Sequence, residues 1–84
     1  MDFQELVQAE REKQNEKWGE QNHDPYKWMS ILGEEIGELN KGFLETENIR
    51  GIRFKADYFL ETELIQCAAV LKAMYESGKR NGWL

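Results

Sequence analysis

Apolar residues recur at three- and four-residue spacings along nearly all of this 84-residue chain, and that period belongs to helices that bury one side. Period-two alternation, the mark of a half-buried strand, is absent, so an all-α fold is expected. Phe3, Leu6, Val7 and Glu10 share one side of a first helix, which Asp2 is placed to cap and Gly19 to end after Lys17 or Trp18. A loop follows over 19–24. Asp24 and Pro25 restart the chain as cap and first helical residue, where proline's missing N–H costs nothing, and a second helix runs to about Glu45. At about 100° per residue, Trp28, Met29, Leu32, Ile36, Leu39 and Phe43 make its core-facing stripe. Thr46 to Phe54, with Asn48 and Gly51 inside it, is the weakest helical stretch and reads as a connection carrying Arg50, Arg53 and Phe54. A third helix covers about Asp57 to Ser77 and stops at Gly78, with Lys79 and Arg80 at the negative end of its dipole. Its apolar face is Leu60, Leu64, Cys67, Ala68, Leu71, Met74 and Tyr75, widened by Phe59 and Val70.

A chain of this length has room for one domain, 1–84, and buries only about 60% of its unfolded surface. Three helices with broad stripes cannot cover one another at that size. Gly33 and Gly37, on the back of the second helix, leave space for a close neighbour. A homodimer or a dimer of dimers, a homotetramer, is therefore expected, with sites near the interface. Acids outnumber bases, 16 to 11, giving a net charge of -5; this repels a phosphate backbone and excludes a nucleic-acid polymer as the expected partner. One Cys and one His rule out a disulfide framework and a four-ligand zinc site within one chain, and Cys67 reads as a small core residue. The longest apolar run, Cys67 to Leu71, falls far short of the ~20 residues of a membrane span. The charged stretch Met1 to Glu12 is unlike a signal peptide. A cytoplasmic protein with no membrane partner is expected.

The informative acids are those that do not stay on the wet side. Glu63 has Phe59, Leu60, Cys67 and Val70 as its helical neighbours, so its carboxylate is costly to bury unless a cation faces it. On the second helix Glu35 lies only about 20° from Trp28, with Glu38 about 60° further round and Glu34 beyond. With the two helices antiparallel, Glu35 and Glu38 approach Glu63 across one groove. Neither apolar face carries a Lys or Arg, and several carboxylate oxygens completed by water suit Mg²⁺ or Mn²⁺, which in turn attracts phosphates. The competing reading is a solvated acidic face, with Glu63 paired to a base from another chain.

The order of these features resembles a known family. Glu34-Glu35-Ile36-Gly37-Glu38, followed further on by Glu63-Leu64-Ile65-Gln66, looks like the EExxE…ExxD pattern of the MazG-like all-α nucleotide pyrophosphohydrolases, which include the dUTPase and dCTP pyrophosphatase branches. Upstream, Glu10-Arg11, Gln14, Lys17-Trp18-Gly19, Gln21, His23 and Trp28 resemble the lead-in of small phage and bacterial MazG-like proteins, so the likeness covers about Glu10 to Leu71. It implies hydrolysis of a nucleoside triphosphate, often a deoxynucleotide or a non-standard one, to the monophosphate and pyrophosphate, with Mg²⁺ holding the triphosphate. It assigns Glu35, Glu38 and Glu63 to the metal ligands, and Glu34 to a ligand or water-positioning role. Trp18, His23 and Trp28 fall where relatives bind a base by stacking or hydrogen bonding, and Gln21 belongs to the same stretch. Lys17 is assigned to phosphate, whereas Lys13 meets either phosphate or a nearby Glu.

Gln66 departs from the pattern, standing where the family has Asp. Its carbonyl can still reach a metal, but it removes one negative charge and cannot act as a base. Two outcomes follow: hydrolysis with fewer charges, or a nucleotide-binding or protein-interacting module of the same fold with weakened chemistry.

Overall fold

The computed structural model describes residues 1–50 and 58–84, with side chains outside 45–59. It contains three helices, α1 (Phe3–Trp18), α2 (Pro25–Arg50) and α3 (Tyr58–Asn81), and no strand among the described residues. The all-α expectation is met. Asp2 caps α1 in a reciprocal box: the Glu5 amide donates to Asp2 Oδ1 at 2.8 Å, and the Asp2 amide donates to Glu5 Oε1 at 3.1 Å. Gly19 closes the helix at φ +72°, a conformation that L side chains avoid. Asp24 caps α2, its Oδ1 accepting from the Lys27 amide at 2.8 Å.

Two boundaries move. α2 continues through Thr46 to Arg50 rather than stopping near Glu45, because no Pro or Gly falls between Glu45 and Gly51. The remainder of the expected connection, and Asp57, lie outside the described residues. α3 runs past Gly78 to Asn81, and its stop is Gly82 at φ +79°. The amides of Trp83 and Leu84 both donate to the Gly78 carbonyl, at 3.1 and 3.2 Å, so the chain folds back over the helix end. Gly78 has a different reason for being glycine. A Cβ there would stand 2.6 Å from Leu84 Cδ1 and 3.1 Å from Trp83 Cζ3.

Packing gives the helices their directions. Trp28 lies with Val70 and Ala73 in the core cluster, while Glu35 and Glu38 meet Glu63, so α2 and α3 are antiparallel. Gln8 bonds Lys72 and Arg11 bonds Glu76, so α1 runs parallel to α3. Arg11 is buried with an Nη2–Glu76 Oε1 distance of 3.1 Å. Among the described residues α3 packs against both other helices, which do not pack against one another.

Half of the expected α2 stripe and three residues of the α3 face are therefore left bare. On α2 Trp28 is buried, Leu32 and Leu39 are half-buried, and Met29, Ile36 and Phe43 are exposed. On α3 the buried face is Leu60, Glu63, Cys67, Val70, Ala73 and Ser77, whereas Leu64, Leu71 and Tyr75 are exposed; the Phe59 side chain lies outside the described residues. The cause is the placement of α1. It takes the flank of α3 that carries Lys72 and Glu76, where Ala69 is also buried, and among the described residues none covers the opposite flank. The radius of gyration, 14.6 Å, accordingly exceeds the ~12 Å of a compact chain of this length. No helix among the described residues is long and apolar enough to cross a membrane.

Candidate functional site

Glu63 is carried into the α2–α3 seam by its own helix, between the buried Leu60 and Cys67, and only 6% of it is exposed. α2 presents Glu35, half-buried, and Glu38 one turn on, to the same place. One carboxylate oxygen from each of Glu35, Glu38 and Glu63 lies within 4.8 Å of the others. The Oε2 atoms of Glu35 and Glu63 are buried and receive no hydrogen bond from the described residues. The ion pairs between described residues lie elsewhere, at Arg11–Glu76, Lys13–Glu10 and Arg80–Glu20.

Burial pushes the Glu35 carboxyl above the ordinary carboxylate range, and the charges of Glu63, Glu38, Glu34 and Glu10 push it further. Burial raises Glu63 as well, with Glu38 adding to it. The Cys67 thiol is raised by burial and then by Glu35, Glu63 and Glu38, which keeps it a neutral core group. Three hard oxygen donors that repel one another, two of them with an orphaned buried oxygen, could hold a divalent cation. The residues present fit such an ion. Glu34 is exposed and outside the trio, although Glu35 feels its charge.

Beside the trio a cleft of about 280 Å³ opens between the three helices. α1 contributes Glu10, Gln14 and Trp18 to it at one-turn steps; α2 contributes Trp28, Ile31 and Glu35; α3 contributes Gln66 and Val70; Gln21 comes from the α1–α2 loop. Since α1 and α2 run in opposite directions, the cleft has two unlike ends. Glu10, Glu35 and Gln66 form an acidic end that adjoins the trio, and Trp18, Gln21, Trp28 and Val70 form an aromatic end.

Gln66, Trp18, Gln21 and Trp28 thus line one cavity. Their availability differs. Trp18 is 57% exposed, with the Lys17 ammonium 4.7 Å from its ring centre. Trp28 is only 2% exposed, so it offers almost no face for stacking and serves as a floor, with its Nε1 lacking an acceptor among the described residues. His23 does not line the cleft; its ring meets Trp28 edge-on at 5.0 Å. Lys17 is exposed and is likewise not a lining residue.

From the sequence, no part in the site falls to Glu10, Gln14 or Arg80. A signal for the first two existed, since Glu10 shares a side with Leu6 and Val7, and Gln14 and Trp18 follow at four-residue steps. Arg11 Nη1 donates to Gln14 Oε1 at 3.3 Å, which leaves the Gln14 amide nitrogen as the group presented to a ligand. Arg80 acts on the loop. Its Nη2 donates to the Gln21 carbonyl at 3.0 Å and to Asn22 Oδ1 at 3.1 Å, and Asn81 Nδ2 donates to the same Asn22 oxygen at 2.9 Å. The last turn of α3 therefore fixes the loop wall of the cleft. Nothing in the local sequence of α3 signals so distant a partner. Compared with family models, with curated proteins and with solved structures, the chain matches none.

Proposed function

We propose that this protein is an Mg²⁺-dependent nucleoside triphosphate pyrophosphohydrolase of the MazG-like kind, converting a nucleotide triphosphate to the monophosphate and pyrophosphate. One observation carries this reading: a single cleft has Glu35, a member of the convergent carboxylate trio, at one end and an open tryptophan face at the other. Glu35, Glu38 and Glu63 hold the ion, with Gln66 on the neighbouring wall. When bound, the ion offsets the charge of the triphosphate and makes its phosphorus more open to attack. Trp18 stacks the base, Gln14 and Gln21 bond its polar edge or the sugar, and the Trp28 floor keeps the site dry. Water attacks the α-phosphorus, the α–β bridging bond breaks, pyrophosphate departs, and the proton of the water passes to a carboxylate of the acidic end.

The test is a panel of standard and modified NTPs and dNTPs with Mg²⁺ or Mn²⁺, reading monophosphate and pyrophosphate release against Glu38→Ala. Release that this change abolishes is the expected result; release that survives it overturns the assignment. The second reading, a nucleotide-binding module with weakened chemistry, is favoured by the neutral Gln66. It is left standing by a panel with no release in which nucleotide and metal together still raise the melting temperature.

The same reading includes a second copy of the chain. Met29 and Ile36 on α2, and Leu64, Leu71 and Tyr75 on α3, are each about half exposed, at 54%, 47%, 47%, 51% and 58%. They lie on the flank away from α1, and two of them, Ile36 and Leu64, adjoin Glu35 and Glu63 in sequence. Pairing two such flanks makes a four-helix core beside two carboxylate trios. A monomer by light scattering at micromolar concentration would exclude it.

A further inference from the structure

Of the acids on α1, Glu10 is the one that lines the cleft. It faces Glu35 and Gln66 at the acidic end, and Glu35 feels its charge. Its side chain is only 16% exposed, an unusual place for a carboxylate. Lys13 does not explain this. That ammonium lies 3.9 Å away on a side chain 76% exposed, a long and solvated pair of the kind that contributes little. Glu10 also stands outside the trio whose oxygens converge within 4.8 Å, so it is one layer removed from the centre.

The trio shows what such a residue can meet. Glu63, with 6% of its surface exposed, has an Oε2 that no donor among the described residues reaches, and so does Glu35. A divalent ion there keeps several waters, because three monodentate carboxylates do not complete its shell. Those waters point their hydrogens outward, and the polar group on the α3 wall is the neutral Gln66. We propose that Glu10 is a positioning residue for the metal centre, accepting hydrogen bonds from the waters of a divalent ion held by Glu35, Glu38 and Glu63. The inference rests on the reading of the trio as a divalent site. It adds a third helix to that site and gives α1 a part in the chemistry as well as in the packing.

Mn²⁺ binding without nucleotide tests it, read by the electron paramagnetic resonance signal of the free ion. Wild type is compared with Glu10→Gln, Glu38→Gln and Glu16→Gln, the last removing the same charge from an exposed site on the same helix. Glu10→Gln is expected to weaken Mn²⁺ by about ten-fold, the low end for an outer residue at a metal site, while Glu16→Gln leaves it unchanged. Gln66→Asp, returning a carboxylate from the opposite wall, is expected to recover the loss. Wild-type affinity in Glu10→Gln overturns the proposal, and if Glu38→Gln still weakens the ion the divalent site itself survives. A loss that Gln66→Asp fails to repair overturns it too. Wild type that binds no Mn²⁺ removes the divalent site and the role of Glu10 together.

Discussion

Glu35 and Glu63 face one another from adjacent helices, each with an oxygen in the same 4.8 Å cluster and each with a buried Oε2 that no hydrogen bond from the described residues reaches. Two such groups hold protons more tightly in the folded chain than in the unfolded one, where the ordinary value is 4.5. Their stabilising contribution in the metal-free protein is complete below that value and is lost as pH rises through the raised folded ones.

The melting temperature of metal-free protein is accordingly expected to fall as pH rises above 4.5, and to fall less in Glu63→Gln. At neutral pH the variant removes a repelled, buried charge. A gain on the order of 1 kcal/mol, or about 4–8 °C, is expected. Saturating Mg²⁺ reverses the order, stabilising wild type by about 2.7 kcal/mol at a hundred times its Kd and leaving the variant unmoved. Thermal melts at two pH values, with and without Mg²⁺, check both signs.

Gln66→Asp adds a carboxylate to the wall beside the trio. It is expected to tighten Mg²⁺ and to raise turnover in the nucleotide panel, by about ten-fold for an added charged ligand or water partner. No change in either would mean that the side chain at 66 does not reach the centre.

Trp18→Ala removes the open ring at the far end of the cleft. Loss of one base–aromatic stack costs about 1–3 kcal/mol. A rise in KM of roughly ten-fold or more is expected with Mn²⁺ affinity unchanged, as read by steady-state kinetics and metal titration.

Arg11→Ala is expected to lower stability. It breaks the pair with Glu76 and the bonds to Gln14 and Asn15 inside the α1–α3 contact. A cost of about 2–3 kcal/mol is expected, at the lower side for a buried pair because Glu76 keeps access to water. Urea unfolding gives the value directly.

Local chemistry was legible in the sequence wherever one residue decides it. Asp2, Gly19 and Asp24 mark three helix ends correctly because a cap is set by its own side chain or backbone. The meeting of Glu35 and Glu38 with Glu63 was legible too, since a helical wheel sets which side each acid takes. Gly78 misled, because glycine is needed there for the returning Leu84 rather than for the helix stop. Met29, Ile36, Leu64 and Leu71 were read as core, and they lie on a flank that α1 leaves uncovered. Wheels rank directions around a helix without saying which neighbour occupies each. The loop contacts of Arg80 were not legible for the same reason: its partners Gln21 and Asn22 sit on the distant α1–α2 loop.

The opposite ends of the cleft also fix a length. Glu35 and Trp28 stand on one unbroken helix, two turns apart, which is about 10 Å along its axis. A helix does not stretch, so α2 works as a ruler. A ligand that reaches the carboxylates and the aromatic floor together must carry its ion-binding group and its flat group at about that separation. Shorter anions can occupy the acidic end but leave the other wet, and bare rings do the reverse.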